Sequence, residues 1–341
     1  MSSSSFPRGT STARLPSLRN GLMMGFGLGI LVTLGLALWS DVSALRVTLN
    51  RFPWEIFPLA LACTLFNYVL RFVKWNFYVR WLGVTNLPPW RSAQLFVAGF
   101  PLAVTPGKVG EALKAYWLSE WTGFPFASGL PIVIAERISD GLAVLILSLL
   151  GVVAYPRLWP GFLAVLAVLL AVVIASQIRP LALWILSGFE KVPILGNWMH
   201  ALRQFYEASY SLFRPLPTLA AVSLGTVSWL GEGVGFFLIL RGLGMPGTLT
   251  TLAVAVFVLA FSTVVGAVST LPGGLGAAEA SLTGLLLLTL APPRALAAAA
   301  TLLVRLATLW FGVGLGLLVW VVSPSLWHRP AKNGGLSDLA H

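Results

Sequence analysis

Two short segments of this chain join a helix-breaking Pro-Gly pair to a carboxylate, and each is followed by an arginine at one fixed distance. The first segment runs Thr105, Pro106, Gly107, Lys108, Val109, Gly110, Glu111, and the second runs Leu271, Pro272, Gly273, Gly274, Leu275, Gly276, Ala277, Ala278, Glu279. Arg137 follows Glu111 by 26 residues, and Arg305 follows Glu279 by 26 residues. In apolar surroundings a guanidinium needs a carboxylate or a bound anion beside it. Backbone N–H groups freed at a helix start can bind phosphate, and glycines allow tight turns and close backbone approach. A carboxylate at the same place can instead cap those N–H groups and favour the helix dipole. Both readings stand for Glu111 and Glu279. Catalytic patterns are poor. The histidines, His200, His328 and His341, lie outside the apolar runs, and there is no P-loop or Asp-rich magnesium motif. ATP hydrolysis is not expected, nor any other catalysis, metal or cofactor.

The elements that must position these residues are set by composition. Of 341 residues, 57% are hydrophobic and only 10% are charged, with 14 Trp and a mean hydropathy of +0.87. A soluble protein of this size needs more polar surface, so the chain reads as an all-α polytopic membrane protein. The single cysteine, Cys63, excludes an internal disulfide framework and a Cys-based metal site. The net charge of +11 is scattered through short loops between apolar runs, which fits the positive-inside rule rather than nucleic-acid binding. Basic loops also attract anionic lipid headgroups.

Six full spans are expected at 21–39, 56–80, 127–154, 159–176, 217–240 and 294–322. Residues 1–20, Ser-rich with Arg8, Arg14 and Arg19, precede an uncleaved signal-anchor, and 323–341 form a polar tail. The stretch 179–215 reads as interfacial. Two broken segments, about 90–120 and 249–290, are read as re-entrant hairpins turning at Pro106, Gly107 and Gly110 and at Pro272, Gly273, Gly274 and Gly276. The competing reading is a pair of ordinary spans with a surface turn. Six spans put both termini on one side, and the loop arginines and lysines make that side cytoplasmic. The halves 56–154 and 217–322 then run in opposite senses, an inverted repeat of the kind found in alternating-access transporters.

Arg137 and Arg305 fall near the middle of their spans, about 15 Å deep. Glu136 and Asp140 can neutralise Arg137 locally. Arg305 has no acidic residue within a turn, so Glu279 or a bound anion is its expected partner. Arg71, Lys74, Lys108 and Lys114 could receive an anionic headgroup or could snorkel. Glu232 lies among small residues within its span and could pair with either arginine.

At these residues the sequence resembles the transmembrane region of the lysylphosphatidylglycerol synthase family, the flippase-like membrane proteins. The matching parts are 105–116, Glu136 to Asp140, 271–280 and Arg305. The resemblance implies a bacterial-type inner-membrane protein that moves a lipid, or a polyprenyl-linked lipid, between leaflets; with the charge-derived orientation, both termini are expected to be cytoplasmic. Two-domain members add a soluble aminoacyl-transferase domain. None follows here within 341 residues, so lipid aminoacylation is not carried over. The expectation is a flippase for an anionic phospholipid or polyprenyl-linked lipid. Arg137, Arg305, Lys108, Glu111 and Glu279 would meet the headgroup, and Glu136, Asp140 and Glu232 would support them. The alternatives are a membrane scaffold for a lipid- or glycan-modifying enzyme and an integral-membrane lipid transferase using Glu111, Glu136 or Asp140 as base. Expected partners are membrane lipids, with a homodimer or a lipid-modifying enzyme as further candidates.

Overall fold

A computed structural model describes residues 14–153, 155–180, 196–323 and 326, excluding the side chains of 14–19, 106, 108, 196 and 197. The expectations for residues 1–13 and for the tail beyond 323, Leu326 apart, lie outside this range, as does the middle of the 179–215 segment. The described residues form helices, turns and loops only. Among them six helices are long and apolar enough to cross a membrane: Asn20–Trp39, Trp54–Trp81, Pro156–Gln177, Pro215–Gly242, Leu249–Val268 and Arg294–Val322. The chain is an all-helical integral membrane protein.

In chain order the helices are α1 (Arg14–Trp39), α2 (Val42–Asn50), α3 (Phe57–Trp81), α4 (Pro89–Ala98), α5 (Ala112–Thr122), α6 (Phe126–Val152) and α7 (Trp159–Gln177). They continue with α8 (Gly196–Leu212), α9 (Pro215–Gly242), α10 (Leu249–Val268), α11 (Ala277–Thr289), α12 (Arg294–Arg305) and α13 (Phe311–Val322). Asp41 caps α2 by accepting from the backbone N–H of Ser43 at 2.9 Å. Five of the six apolar helices lie where spans are expected. The sixth, α10, was expected as one arm of a hairpin; its 20 residues make about 30 Å of helix, a full crossing length. The remaining expected span, α6, forms as a 27-residue helix, but Glu136, Arg137 and Asp140 sit in its centre.

The core is built on α3, α6, α9 and α10. Helices α3 and α9 lie side by side and antiparallel. Gly242 faces Phe52 and Ile56, Gly235 faces Ala60 and Cys63, and Gly231 faces Cys63 and Phe66. Farther along, Ser228 donates to the Asn67 carbonyl at 3.3 Å. Small residues on α9 let the two backbones approach, as membrane helices require. Each broken segment leans on the last helix of the opposite half. Helix α10 packs on α6, where the Phe257 ring fills the space over Gly151, and α13 packs on α4 and the 3-10 turn Phe100–Val104. There Trp320 donates to the Ala98 carbonyl at 2.8 Å. Helix α8 docks on α6, joined to α3 by the Trp81 indole donating to Ser211.

Candidate functional site

The site starts where helix geometry fails. After α4 the chain makes two 3-10 turns, Phe100–Val104 and Pro106–Glu111, before α5 begins. Proline cannot donate to a helix ladder, so Pro101 and Pro106 force these breaks. Thr105 stitches the second turn, its hydroxyl accepting from the Gly110 N–H at 3.0 Å. In the other half α10 ends at Val268 and a 3-10 turn, Pro272–Gly274, leads into α11. Gly273, Gly274 and Gly276 all have positive φ, which glycine adopts without steric penalty. The tips of the two breaks touch, and the Gly107 N–H donates to the Thr270 carbonyl at 3.2 Å. Helix α1 lies against both.

Each copy of the 26-residue spacing closes into an ion pair. Arg137 Nε lies 3.1 Å from Glu111 Oε2, and Arg305 Nε donates to Glu279 Oε1 at 2.5 Å. The spacing works because Glu111 and Glu279 lie at the start of the helix after each break, while the arginines lie about three turns into the next helix. The surroundings differ. Arg305 also donates to the Gly273 carbonyl at 2.8 Å, and Glu279 accepts from the Gly276 N–H at 2.6 Å. The pair is therefore a clasp that holds the second turn closed, and Glu279 does cap its helix. Glu111 makes no capping bond to α5. A cavity of about 200 Å³ adjoins the clasp, lined by residues including Val32, Leu302 and Trp310. The segment that follows Arg305, Leu306–Trp310, is a π-helix, and the Tyr68 hydroxyl donates to its Thr308 carbonyl at 2.7 Å. Such bulges recur at functional sites.

The first half holds a larger network. Asp140 accepts from Lys74 Nζ at 2.5 Å and from the Trp229 indole at 3.3 Å. Arg71 lies 3.5 Å from its other oxygen, and Arg137 lies 4.0 Å away. Lys114 pairs with Glu136 and stands 4.3 Å over the centre of the Trp75 ring. Lys74, Lys114, Glu111, Glu136 and Asp140 are buried, whereas the Arg137 side chain is 31% exposed. Cations Arg71, Lys74, Lys114 and Arg137 thus face anions Glu111, Glu136 and Asp140. Glu232 is buried on α9 but pairs with neither Arg137 nor Arg305. Lys108 lies in the first break, and its side chain falls outside the described residues.

Sequence reasoning placed the two Glu–Arg spacings; for Lys74 and Lys114 it left headgroup contact or snorkelling open, and the structure buries both lysines in ion pairs with Asp140 and Glu136. The available clue was periodicity: Thr64, Asn67, Arg71 and Lys74 recur every three or four residues on one face of α3, and all are buried or nearly so. A polar stripe on a membrane helix must face protein rather than lipid. A second feature without a sequence clue is a groove of about 570 Å³ lined by Phe72, Asn76, Phe77, Arg80, Trp81 and Pro89 among others.

Helices broken by Pro-Gly turns, with buried ion pairs at the breaks, define a polytopic membrane protein with a central polar site. The chain belongs to the family of the lysylphosphatidylglycerol synthase transmembrane region, which matches residues 26–316. It is similar to a UPF0104 membrane protein of Methanothermobacter thermautotrophicus, 26% identical over 86% of this chain and 91% of that one. A second UPF0104 match from that organism is 24% identical over 61% of this chain and 67% of the relative. No solved structure matches.

Proposed function

We propose that this protein moves an anionic phospholipid or polyprenyl-linked lipid between the leaflets of a prokaryotic plasma membrane, with both termini cytoplasmic. One observation carries the reading: two helix breaks meet at Gly107 and Thr270, each with its own Glu–Arg pair on a buried carboxylate. Non-helical backbone at membrane depth is tolerated only where it is buried in protein or lines a polar cavity. The antiparallel α3–α9 pair and the crossed packing of α6 on α10 and α13 on α4 support inverted halves with re-entrant breaks. The headgroup docks in the first half, where Arg71, Lys74, Lys114 and Arg137 exceed Glu111, Glu136 and Asp140 by one charge, with Lys108 at the adjoining turn. Arg305 and Glu279 hold the opposing turn, and the acyl chains stay in the bilayer. The groove at Phe72, Phe77 and Arg80 offers an apolar wall and one guanidinium along the way in.

The test is leaflet exchange of fluorescent anionic and zwitterionic lipids in liposomes holding the purified protein. Exchange of the anionic lipid should accelerate, and Arg137→Gln should remove most of that acceleration while thermal unfolding shows a folded protein. No acceleration with either lipid, in folded wild-type protein, would overturn the transport reading in favour of a scaffold.

A further inference from the structure

Five carboxylates are buried among the described residues: Glu111, Glu136, Asp140, Glu232 and Glu279. Four sit within ion-pair distance of a cation. Glu232 alone has neither an ion pair nor a side-chain hydrogen bond, although only 5% of it is exposed. An ionised carboxylate in that state is costly, and the group is relieved by taking up a proton.

The neighbourhood supports this. Asn67, on α3 opposite Ser228, is fully buried, and neither its amide nitrogen nor its side-chain oxygen has a partner. Ser228, one turn before Glu232, bonds to the Asn67 backbone. Helical side chains lean toward the N-terminus of their own helix. In an antiparallel pair that brings the Glu232 carboxyl and the Arg71 guanidinium toward the same level, that of Asn67 and Ser228. Charged and titratable groups lie on several of the elements packed against α9. Arg71, Lys74, Tyr68 and Cys63 lie on α3, Glu136, Arg137 and Asp140 on α6, and Arg305 at the end of α12. Helix α10, packed on the other side, carries no ionisable residue. A guanidinium at this level favours the ionised carboxylate, whereas burial without a hydrogen-bond partner favours the proton; a metal cation, which needs a shell of about six oxygens, fits the position less well than a proton.

We infer that Glu232 is a proton-binding site, and that its protonation gives the central cluster the positive charge that an anionic headgroup neutralises. The count is direct. Arg71, Lys74, Lys114 and Arg137 contribute four positive charges; Glu111, Glu136, Asp140 and ionised Glu232 contribute four negative ones. With Glu232 ionised the cluster is neutral, and with Glu232 protonated it carries one positive charge. Proton and headgroup therefore bind cooperatively, each raising affinity for the other by the same factor. This deepens the lipid-transport reading and rests on it for the identity of the anion; it supplies a driving force, the proton gradient.

Two measurements test it. Infrared titration of purified protein without lipid should show a protonated-carboxyl component that appears above the pH at which the exposed carboxylates titrate, lost in Glu232→Gln and retained in Glu232→Asp. In weak buffer with a pH indicator, adding short-chain phosphatidylglycerol should draw up to one proton per lipid bound. Glu232→Gln, fixed in the charge state of the protonated protein, should bind the lipid with no uptake and with an affinity that no longer changes with pH. A missing band, a band unchanged in Glu232→Gln, or a carboxylate that responds to sodium instead would overturn the proton site. Lipid binding without proton uptake, or no binding, would overturn the linkage. If the band is present but no lipid moves in liposomes, the proton site stands and the transport reading fails.

Discussion

Lys114 and Glu136 illustrate what one buried ion pair does here. Lys114 stands over the faces of Trp75 and Phe96, with Glu136 as its ion-pair partner. Removing one partner leaves an uncompensated buried charge, at a cost of about 3–5 kcal/mol, whereas replacing both with apolar residues can be nearly neutral. Lys114→Met should therefore lower thermal stability strongly. The double variant Lys114→Met with Glu136→Leu should regain most of the loss in a double-mutant cycle. Additive losses would show that the pair is not the unit of stability. The contrast with the Glu–Arg pairs shows what could be read in advance. A 26-residue spacing repeated twice is visible without a structure. Lys74 with Asp140, or Lys114 with Glu136, occurs once and joins segments whose proximity depends on how α3, α5 and α6 pack. Read alone, a lysine near a helix end is equally a snorkelling anchor.

At the scale of elements, the second break depends on backbone approach. Gly274 has φ of 68°, and a Cβ there would lie 2.9 Å from the Gly266 Cα, which is backbone and cannot swing aside. Gly274→Ala should destabilise by about 1–3 kcal/mol. Gly284, exposed on α11 with open space around it, is the control: Gly284→Ala should be neutral or stabilising by up to about 1 kcal/mol. Unfolding midpoints of the two variants decide this directly. The Arg305–Glu279 clasp gives a further test. Arg305→Gln frees the Gly273 carbonyl and the Glu279 carboxylate together, so it should loosen the turn and raise protease or hydrogen-exchange access at 271–276. Unchanged protection there would mean that the turn is held by its glycines and packing alone. The Pro-Gly breaks themselves were plain in the sequence because proline and glycine act locally. Helix α10 was less so: its 20 residues are long enough for a full span as well as a hairpin arm, and apolar residues alone do not distinguish the two. The π-helix after Arg305, whose Thr308 carbonyl accepts from Tyr68 on α3, had no sequence cue.

At the scale of the whole molecule, the antiparallel α3–α9 pair and the touching tips generate a topology that labelling can read. If the halves are inverted and the breaks re-entrant, the connections beside Asn86 and Gly123 lie on the side of the N-terminus. Those beside Gly244 and Ala291 then lie on the opposite side. Ordinary spans with surface turns would keep all four assignments, because each broken segment crosses an even number of times either way. The tips separate the two arrangements. Replacing Cys63, the single cysteine, by Ser gives a background for single-cysteine variants. In right-side-out and inverted vesicles, Asn86→Cys and Gly244→Cys should react with a membrane-impermeant maleimide from opposite sides. Leu271→Cys and Val109→Cys, each exposed on the protein surface at its break, should react slowly from both sides if the breaks lie at membrane depth. Fast labelling of Val109→Cys from the side opposite Asn86→Cys would make the first break a surface turn, and the two ion pairs would then no longer share a midplane. Slow labelling at both tips that quickens when anionic lipid is supplied would instead place the breaks among the parts that move, which is what a site opening to each leaflet in turn requires.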